Sequence, residues 1–251
     1  MRLPEAIICR LPGQRPGWQA SAYEEEEIRM SFNIAIDGPA GAGKSTIARE
    51  VARKLGFVYV DTGAMYRAIG LYFIRQGIGP DDHEKMDRAL KDANVTIQYK
   101  DGIQQVILNG EDVSDQIRTE AVGAMASAAG AYGPVREKLL DLQRNLARWS
   151  DVIMDGRDIG TNILPGAQLK IYLTASTKAR ALRRYTELIQ KGVSCTLEDI
   201  EAQITKRDND DMNRAVAPLR QAEDAVYLDT SDLSIDQVIE SIIKLYEDKN
   251  V

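Results

Sequence analysis

The chain has 251 residues, enough for one large domain or for a core domain carrying an insert. Hydrophobic residues make up 44% and charged residues 28%, a globular balance that excludes a wholly disordered, collagen-like or coiled-coil chain. The formal net charge of -6 argues against a general nucleic-acid coat, which needs a basic face to displace counterions from phosphates. No stretch approaches the ~20 apolar residues of a membrane span. Cys9 and Cys195 have no CxxC or Cys/His spacing around them, so neither a disulfide framework nor a zinc site is expected, and a reducing cytoplasm is the plain reading.

Residues 1–30 hold Pro4, Pro12, Pro16 and the run of Glu24, Glu25, Glu26 and Glu27, without helical or strand period. Two readings stay open: a disordered leader, or a mis-annotated start. Glu codons are all purine-rich, so the run just upstream of Met30 also fits a bacterial ribosome-binding sequence with Met30 as the true first residue. N-terminal sequencing of the native protein separates the two.

From Ser31 onward short apolar strands alternate with amphipathic helices, which predicts a parallel sheet covered on both faces. Residues 33–37 read as the first strand. Ile47, Ala48, Val51, Ala52 and Leu55 then recur at helical spacing, and Gly56 stops that helix. Residues 57–60 form the next strand, ending at Asp61, Thr62 and Gly63. Residues 95–99 and 103–108 flank the turn Lys100, Asp101, Gly102 and predict an antiparallel hairpin, closed by a further turn at Asn109 and Gly110. Residues from about 88 to 120 therefore read as an inserted subdomain, with 113–118 as a candidate third strand. The parallel pattern resumes with strands at 152–154, 169–173 and 226–229 and a helix running to about Lys191. Ser234 and Gln237 predict a capping box for the last helix, to about Tyr246.

Gly38, Pro39, Ala40, Gly41, Ala42, Gly43, Lys44 and Ser45 match the phosphate-loop pattern G-x-x-x-x-G-K-[ST] between a strand and a helix, with Thr46 following. The glycines let the backbone approach a polyphosphate, its N–H groups and the helix N-terminus attract the anion, Lys44 reaches the β and γ phosphates, and Ser45 is placed to ligate Mg²⁺. ATP and Mg²⁺ are thus the expected cofactors. No N-K-x-D segment supports a GTPase, and the strand at 152–154 ends in Asp155-Gly156-Arg157-Asp158 rather than in the paired acids of a motor ATPase.

A second anion site is expected from arginines at strand C-terminal ends, the edge where open α/β sheets bind ligands. Arg67 follows the second strand and Arg157 the third, and Arg207, Asp211 and Arg214 share one face if their segment is helical. Residues 205–214 carry few large apolar side chains and suit a mobile lid that keeps water from the γ-phosphate. The acceptor would be a phosphate monoester already ionised at neutral pH, so no base is needed. His83 reads accordingly as a solvated helix start.

The segments at 34–46, 61–67, 108–119, 154–161, 170–176 and 207–219 together resemble the bacterial cytidylate (CMP) kinase family. The resemblance implies an α/β P-loop nucleoside monophosphate kinase fold, with a five-stranded parallel sheet, helices on both faces, a small antiparallel insert and a short lid. It implies core segments at 31–61 and 150–251, a monophosphate-binding region at about 62–149 and a lid at about 194–215. The implied reaction converts ATP and CMP or dCMP to ADP and CDP or dCDP. It implies that Ser127, Arg136 and Asp158 hold cytosine, that Arg67, Arg157 and Arg214 surround the acceptor phosphate, that Arg207 and Asp211 lie on the ribose side, and that Thr62 also touches the acceptor. Lys44, Arg157, Arg207 and Arg214 carry the catalysis on this reading. The partners are small molecules, with no nucleic acid and no membrane, and the enzyme is a cytoplasmic monomer. Ser45 stands where relatives vary, and Asp210 and Met212 stand where some carry lid arginines. Kinases for AMP, UMP or shikimate, and a P-loop switch without phosphotransfer, are the rival readings.

Cytosine presents an amino donor beside a ring acceptor, which a carboxylate (Asp158) and a guanidinium (Arg136) complement, whereas uracil reverses that order. Adenine shares cytosine's order, so on these groups alone only pocket size excludes AMP.

Overall fold

The computed structural model describes residues 31–250, and the leader expected at residues 1–30 lies outside them. In chain order the elements are β1 (Asn33–Asp37), α1 (Lys44–Leu55), β2 (Val58–Asp61), α2 (Thr62–Arg75), α3 (His83–Leu90), β3 (Val95–Lys100), β4 (Ile103–Leu108) and β5 (Glu111–Asp112). They continue with α4 (Glu120–Ala131), α5 (Gly133–Arg148), β6 (Val152–Gly156), β7 (Leu169–Thr174), α6 (Thr177–Gln190), α7 (Leu197–Asn213), β8 (Val226–Asp229) and α8 (Ile235–Lys249).

Five strands form one parallel sheet in the order β2-β6-β1-β7-β8. The inner strands β1 and β6 read as apolar runs because both faces are covered, while the edge strand β8 alternates half-buried and exposed residues. Ile34 and Ile36 of β1 pack with Ile47, Val51 and Ile239 on the α1 and α8 side. Ala35 faces the other way, onto the cluster of Met65, Ile69 and Leu139 from α2 and α5. The central β1 delivers its C-terminal end, and the phosphate loop after it, to the middle of the sheet edge. Gly56 ends α1 in the left-handed conformation at φ 72°, and the capping box of Ser234 and Gln237 starts α8, both as the sequence predicts.

The insert is a three-stranded antiparallel sheet, β3-β4-β5, but its third strand is Glu111–Asp112 and not residues 113–118. The Asp112 carboxylate accepts from the Ser114 N–H (3.0 Å) and hydroxyl (2.6 Å), which turns the chain before a strand can extend. Val113 and Ile117 then drop fully into the core around a 3₁₀ turn at Gln116–Arg118. The insert also closes the open edge of β2. Gln104 accepts from the Asp61 N–H (2.8 Å) and donates to the Asp61 carbonyl (3.2 Å), and the Tyr99 hydroxyl donates to the Tyr59 carbonyl (3.0 Å).

Residues 205–213 form the second half of a continuous helix, α7, and Arg214 follows it in an extended conformation. Its first half is anchored, since Thr196 caps it and Ile200 and Ile204 pack on Ala181 of α6. Reading 205–214 alone missed that anchor. His83 opens α3 and is exposed, with its ring stacked on Tyr132 at 4.5 Å.

Candidate active site

The loop at residues 38–43 leaves β1 and wraps back to start α1 at Lys44. A Cβ on Gly38 would meet the Leu173 carbonyl oxygen at 1.9 Å, and Gly41 and Gly43 take φ of 74° and 88°, so the path itself requires glycine. The Lys44 ammonium donates to the carbonyls of Gly38 and Pro39, each at 2.8 Å, and bridges the loop. Burial, and then the nearby Arg157 cation, drive its pKa well below the ordinary lysine value. Thr46 points outward from the first turn of α1.

Ser45 donates its hydroxyl to the Asp155 carboxylate at 2.8 Å, and the Tyr59 hydroxyl donates to the other oxygen at 3.1 Å. Burial, and then the charge of Asp61, raise the Asp155 pKa to about 6. Asp37 at the end of β1 is also raised to about 6 by burial, although it accepts from the N–H groups of Ile159 (2.8 Å) and Gly160 (2.7 Å). Those bonds fix the π-helical turn Ile159–Ile163 that follows Asp158. Thr62 is engaged with the main chain, donating to the Asp155 carbonyl at 2.8 Å.

A second group of cations comes from separate elements. Arg157 donates to Asp211 of α7 at 2.8 Å, and Arg214 at the end of α7 lies 3.9 Å from the same carboxylate. Burial alone would raise Asp211, yet Arg157, Arg207 and Arg214 hold its carboxyl below the usual range. Arg207 is different: its Nε is buried without a hydrogen-bond partner. Burial, then the charge of Arg157, pull the Arg207 pKa down to about 10, and Arg67 adds to that repulsion. Arg67 itself is lowered by burial and by Arg118, which pairs with Asp61 at 3.2 Å. The fields of Arg67, Arg157 and Arg207 thus overlap, and that of Arg157 reaches Lys44.

Asp158 is buried and joins three donors: Arg136, Arg214 at 3.2 Å and Asn162 at 3.1 Å. Arg136 also donates to the Gly130 carbonyl at 3.0 Å and lies over the Tyr66 ring at 5.6 Å. Arg214 holds the Ala217 carbonyl through Nε at 2.7 Å, which supports the left-handed φ of 47° at Ala217. Arg136, Asp158 and Arg214 are therefore one cluster. Ser127 sits half-buried on α4, one turn before Gly130, and is not among the donors to Asp158. Asp210 and Met212 are exposed on α7, and Asp210 borders a shallow hollow of about 680 Å³ with Ala202 and Lys206.

The sequence did not reveal a buried ion pair between Arg180 of α6 and Asp208 of α7, at 2.6 Å. Arg180 donates to the Ala40 carbonyl (2.9 Å), while the Ala40 N–H points at Asp208 (3.4 Å). The pair therefore ties α7 to the phosphate loop. The available signal was Arg180 next to Ala181 on the inward face of α6. Nor did the sequence reveal that Asp155 meets Ser45.

A family model described as cytidylate kinase matches residues 34–248. The chain belongs to that family. A cytidylate kinase of Caldicellulosiruptor bescii is 49% identical over 215 residues, covering 86% of this chain and 95% of that protein. One from Halalkalibacterium halodurans is 47% identical over 84% of this chain and 96% of its own length. One from Thermotoga neapolitana is 43% identical over 88% and 99%. A solved shikimate kinase from Bacteroides thetaiotaomicron aligns with a TM-score of 0.43 at 14% identity over 86% of this chain and 98% of that one, too distant to bear on the acceptor. As a cytidylate kinase family member the chain carries an ATP-dependent nucleoside monophosphate kinase fold, and its five-stranded parallel sheet and antiparallel insert agree with that membership. No helix among the described residues is long and apolar enough to cross a membrane.

Proposed function

We propose that the protein transfers the γ-phosphoryl group of ATP to the phosphate of CMP or dCMP, giving ADP and CDP or dCDP. The observation that carries this reading is the unpartnered, buried Arg207 Nε beside Arg157 and Arg67, a group of cations with less counter-charge than it needs. A dianionic monoester placed there would complete that cluster. Lys44 and the loop amides hold the donor phosphates, and Arg157, in reach of both sides, stabilises charge on the transferring group.

Ser45 and Asp155 supply oxygen donors from a buried, electron-rich corner, which fits Mg²⁺, a cation that takes few protein ligands and completes its shell with phosphate and water. When bound, Mg²⁺ neutralises phosphate charge. Asp155 holds the Ser45 hydroxyl in place, and Tyr59 holds Asp155. Asp158 accepts from the cytosine amino group while Arg136 donates to the ring acceptor. Uracil would turn its O4 toward the carboxylate, and polar sites of this kind reject such analogues by as much as ~10⁴. Closure of α7 excludes water and protects ATP from hydrolysis. The same reading makes the protein a cytoplasmic monomer acting on small molecules.

A coupled assay with ATP, Mg²⁺ and a panel of CMP, dCMP, UMP, AMP and shikimate tests the proposal. It expects ADP release with CMP and dCMP well above the others. Nucleotide binding without acceptor-dependent ADP release would defeat it in favour of a binding switch.

A further inference from the structure

The turn that carries Asp158 is capped from elsewhere. Asp158 stands immediately before the π-helical turn Ile159–Ile163, where an aspartate ordinarily folds its carboxylate onto an N–H two or three residues on. Asp61 and Asp82, which open α2 and α3, do this, accepting from the N–H groups of Ala64 (2.9 Å) and Lys85 (3.2 Å). Asp158 does not. Its carboxylate turns instead to Arg136, Arg214 and Asn162.

The first two N–H groups of the turn are taken by a residue 122 positions before Ile159. Asp37, at the end of β1, accepts from Ile159 through one oxygen (2.8 Å) and from Gly160 through the other (2.7 Å). The Gly160 N–H is one that a cap by Asp158 would use. The seat is tight, since a Cβ on Gly160 would meet Lys170 Cδ at 3.1 Å and Asp37 Oδ2 at 3.4 Å. Asp37 is buried, and burial raises its pKa to about 6 in spite of both bonds, so a carboxylate here is costly where Asp158 stood ready as a cap. The charge of Asp158 adds to that rise, which means that the two carboxylates repel and that Asp37 opposes any folding back of Asp158.

We infer that Asp37 is a positioning residue for the base site: it caps the turn in place of Asp158 and leaves the Asp158 carboxylate free to face the acceptor base beside Arg136. This rests on the reading of Asp158 as the group that meets the cytosine amino group. Asp37 touches no substrate on this account. It sits one residue before Gly38, so the strand that carries the donor loop also anchors the turn that carries Asp158. Its charge reaches Lys44 as well, and its substitution can slow transfer to every acceptor alike. The choice between acceptors is what reports on Asp158.

The test measures kcat/KM for CMP and for UMP in wild type, Asp37→Asn, Asp158→Asn and the double variant. Asparagine at 37 keeps one acceptor oxygen but sets an NH₂ group against the second N–H, so Asp158 should turn back and cap its own turn. Expected is a fall of at least about tenfold in the CMP over UMP preference of Asp37→Asn, with no further fall when that change is added to Asp158→Asn. A wild-type preference in Asp37→Asn, with CMP still phosphorylated, overturns the inference and leaves Asp37 to the donor side or the fold alone. A further fall in the double variant overturns it too. An Asp158→Asn enzyme with the wild-type preference defeats the base-site reading itself, and this inference with it. Should Asp37→Asn not fold, hydrogen exchange in Asp158→Asn decides: the amide protons of Ile159 and Gly160 should stay as protected as in wild type, because Asp37 is their cap, and loss of that protection overturns the inference.

Discussion

The two halves of the proposed site are built on different principles. On the donor side the charges are satisfied within the loop itself, where Lys44 is bonded to the carbonyls of Gly38 and Pro39. The proposed acceptor side gathers Arg67 from α2, Arg157 from the end of β6, Arg207 from α7 and Arg214 just after it, with Asp211 the carboxylate shared by Arg157 and Arg214. On the proposed reading the donor lysine is hydrogen-bonded within its loop, while the acceptor side keeps like charges together and gains most from an arriving anion. That contrast predicts that donor-side substitutions act on geometry, and acceptor-side substitutions trade free-enzyme stability against substrate binding.

The largest effect is expected at Arg157, whose field reaches Lys44 as well as Arg67 and Arg207 of the proposed acceptor site. Arg157→Ala should lower kcat by about 10³-fold or more, as for other cations acting on a transferring phosphoryl group, with ATP affinity changed far less. Steady-state kinetics together with nucleotide titration check this, and a loss confined to KM for CMP would remove Arg157 from the transfer itself.

Next in size is the strut between the halves. Arg180→Met leaves Asp208 buried and unpaired beside the Ala40 N–H, a change that typically costs about 3–5 kcal/mol. Denaturant unfolding should show that loss. Replacing both partners together, with Arg180→Met and Asp208→Leu, should recover most of the stability but not the position of α7 over the loop, so kcat stays low.

The pH dependence is a smaller effect with a definite sign. Asp155 rises from 3.8 to about 6 in the folded protein, so between those values the folded state binds more protons than the unfolded chain. This carboxyl therefore lowers stability as pH rises from about 4 to about 6, and the penalty is complete above that. Asp155→Asn should gain on wild type over this interval, by up to about 3 kcal/mol for a two-unit shift. Thermal unfolding of the metal-free proteins at pH 5 and pH 8 should show a wider gap at pH 8. Equal gaps would mean that Asp155 is not held in the charged, buried state described above.

The same contrast explains what could be read from the chain alone. Residues 38–45 were legible because eight consecutive positions carry the whole geometry of the loop. The inner strands β1 and β6 were legible because burial on both faces writes itself as apolar runs. The acceptor side was different, since Arg136 and Asp158 are 22 residues apart and Arg157 and Asp211 are 54 apart. Strand ends and helical spacing pointed to Arg157 and Asp211, whereas the grouping of Arg136 with Asp158 came from family resemblance. Asp37 read only as the end of a strand, and its bonds to Ile159 and Gly160 are what set it apart. At 113–118 the apolar residues suggested a strand, but the short-range pull of Ser114 and Asp112 decided for a turn.

The claim that the acceptor arginines are held for an anion is tested most directly by thermal unfolding of wild type and Arg207→Met, each with and without CMP. The free variant should melt at or above the wild-type temperature, because it loses a buried cation crowded by Arg157 and Arg67, and the rise caused by CMP should be largely lost. A variant that melts well below wild type yet keeps the full rise with CMP would contradict the account.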